Sequence, residues 1–266
     1  VITTLYLCIQ VDMRKGYEQT NPANIYFRLS SFDTTLINHV KKWDSVADAT
    51  GSSIADLRAF DQDGVLHSIT VQAVSDPSWP INRLSLIEGS WPLEKGEVAL
   101  ENYKFDQFGL KIGDRIVFKT GSGSEIPLTI RARVRDQSVG AAEYNNVFMM
   151  PANAYVSRST LRSLEMPETW NLLRIVVSGD GNDQERIAAV ADESSQKLEK
   201  AGFTIYSMAV SLQSSHPIAD YADAIVIILL LIGVLVLFLS GTLTYNTISA
   251  TLTGQTSQIG TMKTIG

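Results

Sequence analysis

Cysteine is almost missing: Cys8 is the one thiol in 266 residues, so the chain can form no disulfide within itself and no zinc site of paired cysteines. Leu7 and Ile9 flank it and disfavour a thiolate, so Cys8 reads as an apolar packing residue and not as a nucleophile. Histidine is scarce too, with His39, His67 and His216 far apart and no pair at metal-ligand spacing. No serine lies in a Gly-x-Ser-x-Gly turn, and no glycine-rich lysine motif for nucleotide phosphates is present. Clusters of Lys and Arg are also lacking, and the net charge of -6 argues against a phosphate-backbone partner, so nucleic acid is set aside. These absences leave no nucleophile, no metal site and no motif that calls for a cofactor.

Two tempting patterns dissolve on inspection. Residues 121–124 (GSGS) are glycine-rich, but no helix follows to present its amides to a phosphate, so they read as a hairpin loop. Asp180, Asn182, Asp183 and Glu185 lack the glycine that a calcium loop needs at its sixth position and read as turn and helix-cap residues. The carboxylate pairs Glu94 with Glu97 and Glu165 with Glu168 sit in polar stretches and read as solvated surface.

The absence with the largest consequence is local. Residues 224–245 carry no charged side chain, and 225–239 are almost unbroken Ile, Leu, Val and Phe. As a helix this stretch reaches roughly 33 Å at about 1.5 Å per residue, against a hydrocarbon thickness of about 30 Å. Each large aliphatic residue favours insertion by about 0.3–0.6 kcal/mol at the helix centre, and no charge opposes it. A transmembrane helix is therefore expected. Gly233, Ser240 and Gly241, with Thr242 and Thr244, are residues that let membrane helices pack closely, although the hydroxyls can equally bond their own backbone. Asp220 and Asp223 before the stretch and Lys263 after it favour an inside C-terminal end. Residues 1–9, uncharged and mostly apolar but lacking the features of a signal peptide, read as the trailing end of another helix, and the chain as part of something longer.

Between these helices the pattern is α+β. Residues 25–29 read as a strand, Asp33 as the cap of a helix bearing Leu36, Ile37 and Val40 on one face, and 53–60 and 67–74 as strands about a turn at 61–64. A second β-α-β unit comprises a strand at 172–177, a helix capped by Asp183 with Ile187, Val190, Ala191 and Leu198 on one face, and a strand at 203–210. Short strands at 97–101, 115–119, 126–134 and 147–150 lie between the two units and read as a small inserted β subdomain.

Residues 17–25 (YEQTNPANI), 86–100 (LIEGSWPLEKGEVAL), 109–116 (GLKIGDRI) and above all 244–266 (TYNTISATLTGQTSQIGTMKTIG) resemble the FtsX-like, or MacB-like, permease family of ABC transporters. The resemblance implies a bacterial plasma-membrane, multi-pass protein whose large extracytoplasmic domain, porter-like with a β-rich insertion, lies between the first and second spans. On that basis 1–15 is the end of the first span and its exit, 16–78 and 169–215 the two halves of the porter-like part, 79–168 the insertion, 216–248 the second span and 249–266 a cytoplasmic coupling segment. Ile259, Met262 and Ile265 recur at helical spacing, with Gln255, Gln258 and Lys263 at polar positions, which suits a helix at the membrane face. By the resemblance this segment contacts a separate ATPase subunit, through Gln258, Ile259, Gly260, Met262, Lys263 and Gly266. Its implied partners are that ATPase, a second permease subunit in a homo- or heterodimer, and the lipid bilayer. The implied role is not that of an enzyme but transmission of ATPase-driven motion to the outer domain, for export or mechanotransmission. A membrane-anchored receptor or scaffold is the alternative.

Overall fold

The computed structural model describes residues 2–74, 78–138, 151–216 and 219–265, with side chains for 11–74, 78–138, 151–216 and 223–255. They fall into two compact units, Val1–Pro217 and Ile218–Gly266.

The first unit opens with helix α1 (Ile2–Gln19) and strand β1 (Ile25–Phe32). Asp33 then starts α2 (Thr34–Val40) by accepting the Thr35 amide at 2.9 Å, and the helix buries Leu36, Ile37 and Val40. β2 (Val46–Phe60) and β3 (Leu66–Val74) follow, joined by a turn in which Asp61 accepts the amides of Asp63 and Val65. The middle of the chain supplies β4 (Ser85–Gly89), β5 (Glu97–Glu101), the single turn α3 (Asn102–Phe105), β6 (Arg115–Lys119), β7 (Glu125–Arg135), β8 (Ala152–Val156) and the single turn α4 (Arg158–Leu161). β9 (Trp170–Val177), α5 (Gln184–Lys200) and β10 (Ile205–Val210) complete it. Asp183 caps α5 through the Arg186 amide at 3.0 Å. The helix ends where Gly202, at φ 88°, lets the Phe203 amide reach back to the Leu198 carbonyl at 3.1 Å.

The strands run in the order β10-β1-β9-β2-β3-β8-β5-β7-β4, and β6 pairs with both β2 and β7. Two consequences follow from that second pairing and from the length of β2. Residues 46–52 of β2 pair with β9, while 52–60 pair with β3. β2 therefore belongs both to the sheet of β10, β1 and β9 and to a closed ring of six strands, β2-β3-β8-β5-β7-β6. One apolar core runs through both. It takes Leu36, Ile37, Ile187, Val190 and Leu198 from the helices against Ile25, Phe27, Leu173 and Ile175, and continues inside the ring with Ile69, Val71, Leu100, Ile116, Phe118 and Ile130. The opposite face of the β1-β9-β2 sheet is covered by Ala23 and Ile81, packed with Tyr26, Ile54, Leu172 and Val176.

Both helices of the β-α-β units, their caps and their buried faces agree with the sequence pattern, as does the 121–124 hairpin between β6 and β7. β2 begins seven residues before the expected start at 53. Its first half holds Asp48 and Gly51, poor strand formers, which tertiary pairing with β9 overrides. β4 and β8 were not expected, and α1 runs on to Gln19. The expected strand at 147–150 lies outside the described residues.

Candidate functional site

The second unit is the helix α6 (Ala219–Ile265). Its segment Asp223–Gln255 is 33 residues long, and the most apolar 18-residue window within it has mean hydropathy 3.1 and none of its residues buried in the protein. Leu237 and Phe238 are 74% and 71% exposed, in contrast to the fully buried Phe27 and Leu173 in the core of the first unit. Leaving some fifteen large aliphatic side chains in water forgoes about 1.5–3 kcal/mol each, a cost that hydrocarbon surroundings remove. At about 1.5 Å per residue the segment is long enough to cross a bilayer.

The hydroxyls on this helix turn back on it. Thr242 donates to the Phe238 carbonyl, Thr244 to Ser240 and Thr247 to Leu243, each at 2.9 Å. Their polar groups are thus satisfied within the helix, the arrangement a lipid environment requires. Gly233 and Gly241 have open space where a side chain would stand, so among the described residues nothing packs on them. Of the expected coupling residues, Gln258, Ile259, Gly260, Met262 and Lys263 continue α6 as helix; their side chains, and Gly266, lie outside the described residues.

A second feature, not anticipated as a site, is the root by which α1 joins the sheet. It is made by the residues 17–25 that carry part of the family resemblance. Tyr17 is fully buried, its hydroxyl 3.4 Å from Ser211 Oγ at the end of β10, and burial raises its pKa. The His216 ring packs against it, tilted by 58° with ring centroids 5.3 Å apart, and burial holds the imidazole below its ordinary pKa. Asn24, also fully buried, donates Nδ2 to the carbonyls of Gly181 at 2.9 Å and Ser211 at 3.2 Å, while its Oδ1 accepts the Val177 amide at 3.0 Å. Asn82 accepts the Ala23 amide at 2.8 Å and donates to the Tyr26 hydroxyl at 3.1 Å. Asn24 thus ties the start of β1 to the ends of β9 and β10, the strand that leads toward α6 in sequence. The signal available in sequence was two asparagines and a tyrosine beside a proline, which read equally as a polar turn.

Acid chemistry is a separate matter. Glu101, 7% exposed, has its pKa raised to about 7 by burial, although its carboxylate accepts the Tyr103 amide. Asp136 nearby accepts the Tyr155 hydroxyl and the Ser138 hydroxyl, both at 2.6 Å. Neither carboxylate lines the groove bounded by Trp79, Trp91 and Arg158 or the one bounded by Arg28 and Tyr206. His67 bonds Asp61 at 2.7 Å beside the β2-β3 turn, and the 180–185 residues act as turn and cap, Asn182 bonding Asp180 at 2.9 Å. Among the described residues no three His, Cys, Asp or Glu side chains gather to hold a metal.

Comparison of the structure with solved ones returns three domains of low sequence identity. The periplasmic region of MacB from Actinobacillus actinomycetemcomitans is 13% identical, with a TM-score of 0.46 over 71% of this chain and 89% of that one. In fold, the first unit resembles that periplasmic region. The extracellular domain of the noncanonic ABC-type transporter YknZ from Gram-positive bacteria is 12% identical, with a TM-score of 0.46 over 70% of this chain and 99% of that one. A domain of a putative permease from Porphyromonas gingivalis is 13% identical, with a TM-score of 0.44 over 73% and 91%. No family model matches the sequence, and no curated protein does. At these identities the likeness is one of fold, and no residue role crosses from the MacB-like domains to this chain.

Proposed function

We propose that this chain is part of a permease subunit of an ABC transporter, carrying an outer domain, one membrane span and a cytoplasmic coupling segment. The observation that carries the reading is α6: an apolar span with no buried face runs without a break into the segment 256–265, whose sequence resembles the permease coupling motif. A helix continuous through the bilayer and beyond it can pass a displacement at its cytoplasmic end to the outer side without loss in a flexible joint. The clamp of Tyr17, Asn24 and Asn82 supports the same reading, because it makes the first helix rigid with the sheet. Residues 79–168 are taken as an insertion that elaborates the porter-like part. ATP is hydrolysed on a separate subunit, a second permease subunit completes the pair, and the chain performs no chemistry of its own.

The test is co-purification of the full-length subunit with its ATPase. Changing Gly260→Leu, Met262→Ser and Lys263→Glu together is expected to lower stimulation of ATP hydrolysis by roughly tenfold, within the usual coupling free energy of about 1–3 kcal/mol. Unaltered stimulation would remove the coupling assignment.

A further inference from the structure

β10 stands at one end of the strand order, and among the described residues it pairs with β1 alone. The direction of its main-chain groups can be traced from one bond. The Ser211 amide turns inward to the Asn24 carbonyl at 2.8 Å. That direction alternates along a strand, so Ala209 also faces β1, while the N–H and C=O groups of Met208 and Val210 face away from it. The register shift of this pair leaves Tyr206 as the extra residue, so the stretch from Ser207 to Val210 is regular. Exposed edges are ordinarily blunted by a charge or a proline. β10 has neither, since no Asp, Glu, Lys or Arg stands between Lys200 and Asp220 and no proline between Lys200 and His216. Its outward residues Met208 and Val210 are instead apolar, and 44% and 47% exposed. β4, at the other end of the strand order, carries Glu88.

What covers this edge follows from hydrogen bonding, charge and symmetry. A row of alternating N–H and C=O groups is matched by another extended main chain. Two copies of a protein of net charge -6 repel where their charges meet, and across a two-fold axis the same patch meets itself. An uncharged strand is the place where that repulsion vanishes. β10 also fits itself. With Ala209 of two antiparallel copies facing one another at the axis, Met208 of each faces the partner's Val210, and every outward N–H and C=O of those residues is satisfied. Ala209, the smallest side chain of β10, then sits at the closest approach, and Met208 lies beside the partner's Val210 on one face of the joined sheet.

We propose that the first unit pairs with a second copy of this chain through β10, antiparallel and centred on Ala209. The inference rests on the reading that a second permease subunit completes the pair, and adds the place where the two meet. The test is cysteine crosslinking of the full-length subunit in membranes, in a Cys8→Ala background with oxidised glutathione supplied. Ala209→Cys is expected to link two copies, because facing residues at such a site lie about 4.5 Å apart between Cα atoms, within disulfide range. Lys200→Cys, exposed at the end of α5, is expected to form no link. Adding Val210→Pro to Ala209→Cys deletes an outward N–H without touching the pairing with β1, and is expected to cut the linked fraction roughly tenfold. Should that variant lose the native tryptophan fluorescence, Met208→Lys decides instead, with the same loss expected. Co-purification of two differently tagged copies is measured alongside. Copies that co-purify but show no link at Ala209→Cys, an equal link at Lys200→Cys, or a linked fraction unmoved by the variants would overturn the edge pairing and leave the permease reading standing. Copies that never co-purify would overturn the edge pairing and the two-subunit assembly with it.

Discussion

Replacing Asn24 by Ala tests the junction between the first helix and the sheet. Asn24 is fully buried and makes three side-chain hydrogen bonds, to Gly181 O at 2.9 Å, Ser211 O at 3.2 Å and from the Val177 amide at 3.0 Å. Each such bond contributes about 1 kcal/mol net, and a buried group left without its partner costs about 1–3 kcal/mol. Val177 is only 2% exposed, so its amide has no ready access to water once Oδ1 is gone. The backbone bonds of Asn24, to Ile175 O at 2.9 Å and from the Ser211 amide at 2.8 Å, survive the change. The expected loss is therefore about 3–5 kcal/mol, a factor of roughly 10²–10³ or more in the unfolding equilibrium and a large part of an ordinary domain's stability. All four tryptophans, Trp43, Trp79, Trp91 and Trp170, lie in the outer part, so denaturant unfolding followed by tryptophan fluorescence reports that part in the full chain. Asn24→Asp keeps the acceptor for Val177 but sets a carboxylate against two carbonyls. It should be at least as damaging as Asn24→Ala at pH 7 and recover as acid protonates it. A cost below about 1 kcal/mol for Asn24→Ala would show that the three bonds are readily replaced, and the rigid clamp would have to be abandoned.

Other expectations concern the span, the buried acid and the core. Leu231→Arg alone should still insert, but together with Leu235→Arg the cost reaches about 5–7 kcal/mol, comparable with the total drive for insertion, and protease protection of the outer domain in membrane vesicles should fall. For Glu101, whose folded pKa of about 7 lies above the ordinary 4.5, stability is highest below pH 4.5 and is lost as pH rises toward 7, by up to about 3 kcal/mol. Glu101→Gln keeps an acceptor for the Tyr103 amide and should flatten that dependence and raise Tm at pH 8; an unchanged pH profile would contradict the raised pKa. Gly51→Ala would place a Cβ 2.6 Å from Ile37 Cδ1 and 3.0 Å from Trp170 Cγ, both in the core, and should cost about 1–3 kcal/mol in the same denaturant assay.

What could be read from the chain alone was whatever rests on local pattern. The long apolar helix declared itself because a run of some twenty uncharged, mostly aliphatic residues is a matter of local composition. The helices α2 and α5 were legible through Asp33, Asp183 and their apolar faces, since a cap and a 3.6-residue period are contained in the segment that uses them. Tertiary structure decided the rest. Gly51 and Asp48 sit in a strand only because β9 is there to pair with them, and the closed ring of six strands depends on β6 meeting β2 across more than fifty residues of sequence. The polar residues Tyr17, Asn24 and Asn82 gave no sign of burial, because a hydrogen bond that makes burial tolerable belongs to two segments at once.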